Sequence, residues 1–179
     1  MRILGAVLAG GRSSRFGSDK ALAMLEGRPL IAHAIEALAA HAETVVSCGR
    51  PWPGLVSIDD SPAGGHGPLA GLNAALRYAI EYRFDSVLCA PIDVYPLPDA
   101  LKLLVRNNPA VLRTQWAIGH WPVALGPALD RHLASGALSI RSWLQASDAQ
   151  LIDDQHLGLR NINSAEDLPG PPISPAEPL

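Results

Sequence analysis

The segment Ile3-Leu4-Gly5-Ala6-Val7-Leu8-Ala9-Gly10-Gly11-Arg12-Ser13-Ser14-Arg15-Phe16-Gly17-Ser18-Asp19-Lys20 decides the fold. Its first six residues form a bare apolar run, as expected of a short strand buried on both faces of a parallel sheet. Leu8 to Lys20 then holds three cations (Arg12, Arg15 and Lys20), one acid (Asp19) and three glycines. Glycine lets the backbone adopt positive φ and approach a ligand closely, so successive N–H groups can face an anion. Arginine and lysine add charge for phosphate oxygens. The segment therefore predicts a strand followed by a loop that holds a nucleoside triphosphate. It matches neither common phosphate motif. Gly17 is followed by Ser18-Asp19-Lys20 rather than by Lys and Ser or Thr, and Gly10-Gly11 with Gly17 does not fit Gly-x-Gly-x-x-Gly. Read alone, the loop serves equally as a solvated, basic surface loop.

Composition narrows the choice. A chain of 179 residues with 48% hydrophobic and 17% charged residues is expected to fold as a single domain. A net charge of −3 with no basic stripe argues against nucleic acid as a partner. Every apolar segment is interrupted by Gly, Arg or Asp before it reaches the length of a membrane span. Met1-Arg2-Ile3 enters the first strand directly, so a cytoplasmic protein without a cleaved signal is expected. Cys48 and Cys89 stand apart without a Cys-x-x-Cys pair and read as buried thiols in a reducing compartment. Lys20 and Lys102 are the two lysines against twelve arginines, which makes a compact point charge in the loop a choice of residue worth noting.

Along the chain, strand, loop and helix recur. Ala21 to Leu25 is a short apolar run closed by a turn at Glu26-Gly27-Arg28, and Pro29 is expected to open a helix through Ile31, Ala34, Ile35 and Leu38. Strands are expected at 44–48, 55–58 and 86–90. A helix from Pro68 to about Tyr82 is expected to bury Leu69, Leu72, Leu76 and Ile80, and another starts at Pro98. Strands at 110–112 and 121–125, helices near 127–134 and 139–147, and a strand at 151–152 complete the pattern. Ser164 is expected to cap a last short helix, with Glu166 placed close to where a capping box wants its acid. Five prolines in 169–179 predict an extended or disordered tail beyond a domain of 1–168. The alternation predicts an α/β fold: three layers, doubly wound about a mostly parallel sheet.

Ligands bind such sheets outside the carboxyl ends of their strands. Three candidate loops leave such ends, at 9–20, 59–67 and 91–97. The first is basic and glycine-rich, and the others each place an acid just after an apolar run. Cations and backbone amides to hold a triphosphate, with a carboxylate to carry Mg²⁺, are the parts of metal-assisted nucleotidyl transfer. Asp93, at the tip of a buried strand, is the preferred metal ligand, with an Asx-type turn before Pro96 as its structural alternative. Asp60 is suited to ribose, base or a metal-bound water, or to a solvated loop. Gly67-Pro68-Leu69-Ala70-Gly71 starts a helix whose free N–H groups can meet an anion or a base edge. His66 and His120 are left without a role, and Trp52, Trp116, Trp121 and Trp143 read as packing or rim residues.

These residues resemble the molybdenum cofactor guanylyltransferase family of Rossmann-like nucleotidyltransferases. The match runs through Leu8-Ala9-Gly10-Gly11, Arg15, Gly17, Asp19-Lys20, Gly27-Arg28-Pro29-Leu30, Asp60-Ser61 and Gly67-Pro68-Leu69-Ala70-Gly71. It continues at Asp93, at Trp121-Pro122-Val123 and at Asn161-Ile162-Asn163-Ser164-Ala165-Glu166-Asp167-Leu168. The resemblance implies transfer of GMP from GTP to the phosphate of molybdopterin, with Mg²⁺ and release of pyrophosphate. It implies Arg15, Lys20 and Asp93 as catalytic, with Asp93 on the metal. Leu8, Ala9, Gly10, Gly11, Lys20, Asp60, Gly67, Pro68 and Leu69 would hold the nucleotide, and Asn161 and Asn163 would lie on the pterin side. Other molybdenum cofactor biosynthesis or target proteins are the implied protein partners. Gly10-Gly11 and the Gly67–Gly71 motif look like the guanylyl rather than the cytidylyl branch. A related transferase using CTP or another phosphate acceptor, and an inert nucleotide-binding module, stay as alternatives that a nucleotide titration with and without Mg²⁺ separates.

Overall fold

The computed structural model of the chain describes residues 1–10, 19–63, 67–106 and 109–168. Strand β1 (Ile3–Leu8) leads, after Asp19, into a 3-10 turn at Lys20–Leu22 and a small hairpin of β2 (Met24–Leu25) and β3 (Arg28–Pro29). Helix α1 (Leu30–Ala39), β4 (Thr44–Cys48), β5 (Val56–Ile58), α2 (Pro68–Glu81), β6 (Ser86–Pro91), β7 (Val94–Tyr95) and α3 (Pro98–Leu104) follow. The remainder is β8 (Ala110–Leu112), β9 (Gly119–Pro122), a 3-10 turn at Val123–Leu125, α4 (Gly126–Ala134), α5 (Ile140–Ser147), β10 (Gln150–Ile152), β11 (Arg160–Asn161) and further 3-10 turns at Gln155–Leu157 and Ala165–Asp167. No helix among the described residues is long and apolar enough to cross a membrane.

Seven strands make one sheet in the order β10-β8-β9-β6-β1-β4-β5. All neighbours are parallel except β9, which runs antiparallel to both β6 and β8. The alternation of side chains along β1 shows how the layers form. Ile3 and Val7 join α1 and α3 in one apolar cluster, while Leu4 and Ala6 join α2, α4 and α5 in the other. Gly5 sits on the α1 side, where a Cβ would come within 3.1 Å of Ala42 Cβ and of Val45 Cγ2, so the missing side chain lets the end of α1 lie close to the strand. His120, fully buried on β9, has its Nε2 2.8 Å from the Ser86 hydroxyl and its Nδ1 3.2 Å from the Leu104 carbonyl, which makes it a core residue. Cys48 and Cys89 are buried free thiols, and burial pushes both up, Cys89 to about 12.

Several local expectations are corrected. Pro29 ends β3 with ψ 143° and caps α1, which starts one residue later at Leu30. Ile80 is 46% exposed, because it lies on the flank of α2. Its tip lies over the bare Gly126, where a Cβ would stand 2.8 Å from Ile80 Cδ1, and Ala79 takes its place in the core. The strand expected to run to Leu125 stops at Pro122, and Val123–Leu125 turns as a 3-10 segment. The capping acid of the last turn is Asp167 rather than Glu166. Its Oδ2 accepts from the Ser164 and Asn163 amides at 2.8 and 2.7 Å. Three residues past Ser164 is the spacing that the reciprocal cap requires, and Glu166 falls one short. The tail expected over 169–179 lies outside the described residues.

Candidate active site

The register of the parallel strands gathers the loops. Leu8 pairs with Cys48 and with Pro91, and Cys48 pairs with Ile58, so β1, β4, β5 and β6 end in one row. Hydrogen bonds extend the ladder past the strand ends: Ala9 N to Cys48 O at 3.0 Å, and Gly49 N to Ile58 O at 2.9 Å. Ala9-Gly10, Gly49-Arg50, Asp59-Asp60 and Ile92-Asp93 therefore leave the same edge, the carboxyl end at which ligands bind. Gly11 and Arg15 lie outside the described residues, as does His66.

Lys20 and Asp93 meet at this edge. Nζ is 3.0 Å from Asp93 Oδ2, with side-chain exposures of 12% and 31%. Asn163 Oδ1 lies 3.5 Å from the same ammonium. Asn163 arrives there because β11 pairs antiparallel with β7, Asn161 opposite Val94, and Ile162 N donates to Asp93 O at 2.8 Å. Asn161 itself is exposed and makes no side-chain hydrogen bond among the described residues. Asp19 N-caps the Lys20 turn by accepting from Ala21 N at 3.2 Å.

Asp60 occupies a cradle of glycines. A Cβ on Gly10 would lie 2.5 Å from Asp60 Oδ2, one on Gly49 2.8 Å from Oδ1, and one on Gly71 3.4 Å from Oδ1. Gly49 has φ +75°, and its Cβ would also strike Gly10 Cα at 2.5 Å, so a side chain there is excluded twice over. The loop is tied to α2 through Ser61 N to Ala70 O at 3.1 Å and Asn73 Nδ2 to Ser61 O at 3.1 Å. Asn73 also donates to Asp130 Oδ1 at 2.8 Å, which links the loop to α4. Among the described residues nothing donates to the Asp60 carboxylate. Burial, reinforced by Asp59, holds its carboxyl above the usual range.

That shift has a sign. The folded chain binds the Asp60 proton more tightly than the unfolded chain does, so the charged carboxylate costs stability above its folded pKa, and the cost is relieved as pH falls through that value. Asp60→Asn is expected to raise Tm at neutral pH, with the gap from the parent closing in mild acid. Thermal unfolding across pH measures this, and a variant no more stable at neutral pH would mean that the carboxylate is compensated.

Gly67, with φ 70°, caps α2, the exposed Pro68 stands at its first position, and the Leu69 side chain is fully buried. Arg50 is a residue that the sequence reading passed over. Its Nη1 and Nη2 donate to Oδ1 and Oδ2 of Asp19, and it pulls that carboxyl below the usual range. The available signal was a glycine-cation pair directly after an apolar strand, hidden by the Pro and Trp that follow.

The arrangement suits a polyanion and a hard cation. No group of three or more His, Cys, Asp or Glu able to hold a metal occurs among the described residues. A magnesium-like ion takes one or two carboxylates and completes its shell with substrate phosphates and water. Asp93 fits that pattern, and Asp60, to which nothing donates among the described residues, suits a ribose, a base or a metal-bound water.

A family model described as the MobA-like NTP transferase domain matches residues 5–153. The molybdenum cofactor guanylyltransferase of Rhodobacter capsulatus is 34% identical over 179 residues, covering 94% of each chain. The protein of the same name from Cereibacter sphaeroides is 33% identical over 186 residues, again covering 94% of each chain. Among solved structures, the molybdopterin-guanine dinucleotide biosynthesis protein A of Archaeoglobus fulgidus matches with a TM-score of 0.70 at 23% identity. It covers 92% of this chain and 94% of that one, a likeness of fold.

Proposed function

Because the chain belongs to the MobA-like NTP transferase family, we propose that it transfers GMP from GTP to the phosphate of molybdenum-carrying molybdopterin, forming molybdopterin guanine dinucleotide and releasing pyrophosphate. The observation that carries this reading is the Lys20–Asp93 pair, an ammonium and a carboxylate side by side where β1 and β6 end. An oxygen of the acceptor phosphate attacks the α-phosphorus of GTP, and the bond to pyrophosphate breaks. The acceptor oxygen is already anionic, so no strong base is required. Positioning and charge neutralisation can supply most of the rate.

The chain's own groups divide that work. Lys20, Arg15 and the backbone of Leu8, Ala9, Gly10 and Gly11 hold the triphosphate and offset the charge building on the leaving pyrophosphate. Asp93 would hold Mg²⁺, which when bound neutralises phosphate charge as a Lewis acid. Asp60 accepts from a ribose hydroxyl or a base N–H, which supplies the donor that its glycine cradle lacks. The start of α2 at Gly67-Pro68-Leu69 lies on the nucleoside side, and Asn161 and Asn163 on the pterin side. Under this reading the enzyme works in the cytoplasm with other molybdenum cofactor biosynthesis or target proteins.

Titration of the purified protein with GTP, CTP and ATP, with and without Mg²⁺, tests the reading. Metal-dependent preference for GTP, and recovery of the guanine dinucleotide from GTP and molybdopterin, are expected. Preference for CTP would remove the guanylyl assignment and leave nucleotidyl transfer, whereas binding without turnover would leave only a nucleotide-binding module.

A further inference from the structure

We propose that Arg50 is a positioning residue for Lys20: by gripping both carboxylate oxygens of Asp19, it fixes the end of the short turn that aims the Lys20 ammonium at Asp93. The inference rests on the reading of Lys20 as a phosphate-holding residue.

The turn needs an external anchor. Lys20–Leu22 is a single 3-10 turn, closed by Leu22 N to Asp19 O at 3.0 Å and Ala23 N to Lys20 O at 3.1 Å. Such turns are short and their hydrogen bonds poorly aligned. Only Ala21 of the three residues is buried, and Leu22 is 52% exposed, so core packing holds the turn at one point. Asp19 is the residue directly before Lys20, and where its carboxylate is held sets where the Lys20 Cα lies.

Arg50 is itself rooted in the sheet. Gly49 N donates to Ile58 O at 2.9 Å, and the bare Gly49 packs against Gly10, so Arg50 leaves the frame at a defined point beside the end of β1. From there it crosses to the Lys20 turn. Two Nη groups on two carboxylate oxygens make a fork-to-fork pair, which fixes orientation as well as distance. The pair is partly shielded, with side-chain exposures of 26% and 37%. Among the described residues, Arg50 Nε is buried without a hydrogen-bond partner. With Nε shut in and both Nη groups on Asp19, the fork is directed at Asp19. A lysine in this place keeps the charge but has no planar fork with which to set the carboxylate's direction.

The test is a double-mutant cycle of Arg50→Ala, Asp19→Ala and the pair, read as kcat and KM for GTP·Mg²⁺. Each single variant is expected to lower kcat about 10-fold, the scale of a small misplacement of a reacting group, with a smaller change in KM. The double variant is expected to be no worse than either single one, and Arg50→Lys to recover only part of the loss. A second readout is independent of turnover. Reductive ¹³C-methylation labels Lys20, Lys102 and the α-amine of Met1 and leaves all three charged; Lys102→Arg and Lys20→Arg assign the two lysine signals. Arg50→Ala is expected to move the Lys20 signal toward that of the exposed Lys102 while Lys102 stays in place. An Arg50 effect that persists in full in the Asp19→Ala background, or a Lys20 signal that does not move, overturns the proposal. Should the alanine variants fail to fold, Arg50→Lys and Asp19→Asn carry the same cycle. An inactive parent protein would overturn the guanylyl reading and leave the methyl-signal arm standing.

Discussion

Lys20→Ala is expected to lower turnover with GTP by about 10²-fold or more, the scale for removing one preorganised charge donor from a transition state, while the protein stays folded. Lys20 keeps only 12% of its side chain exposed yet sits within 3.0 Å of a carboxylate that is 31% exposed. Its loss leaves Asp93 beside solvent rather than trapped, so the sheet has no buried charge to resolve. Under the proposed function, what disappears is the ammonium that stands where phosphate charge develops. Steady-state kinetics with circular dichroism on the same preparation measures both halves of the expectation, and unchanged turnover would mean that the loop does not hold the reacting phosphates.

Asp93→Asn is expected to cost about 10³-fold in metal-dependent turnover, since it removes the charge that binds the Lewis acid, and to raise the Mg²⁺ concentration needed for half-maximal rate. The fold is expected to survive, because the bond that ties Asp93 to the far segment uses its backbone carbonyl, which accepts from Ile162 N at 2.8 Å, and not its carboxylate. A variant that unfolds would assign Asp93 to holding the turn before Pro96. Together with Lys20→Ala, the two variants separate a loss of phosphate binding from a loss of metal.

Much of this site was legible before the fold was known. A glycine-rich basic loop after β1, and acids just after β5 and β6, are local patterns: an apolar run buries, and the first polar group after it marks the sheet edge. Pro68 and Pro98 announced their helices for an equally local reason, a missing N–H where none is needed. The antiparallel course of β9 was not legible, because β9 reads as a short strand whichever way it runs. Arg50 on Asp19 was hidden because the pair spans 31 residues and depends on the register of β1 and β4. The cradle of Asp60 takes one glycine from each of three segments, Gly10, Gly49 and Gly71, and no window along the chain contains all three. Asp167 in place of Glu166 was legible in the spacing, since the capping acid stands three residues past Ser164.

The pairing of β11 with β7 also makes the site depend on distant parts of the chain. Lys20 and Asp93 meet across 73 residues of chain, and Asn163 and the amide of Ile162, which join them, come from 69 or more residues beyond Asp93. The last segment returns to the first half of the protein and is stitched there by one short antiparallel pair. Any cut between β7 and β11 therefore leaves Lys20 and Asp93 on one fragment and Asn163, which meets the same ammonium, on the other.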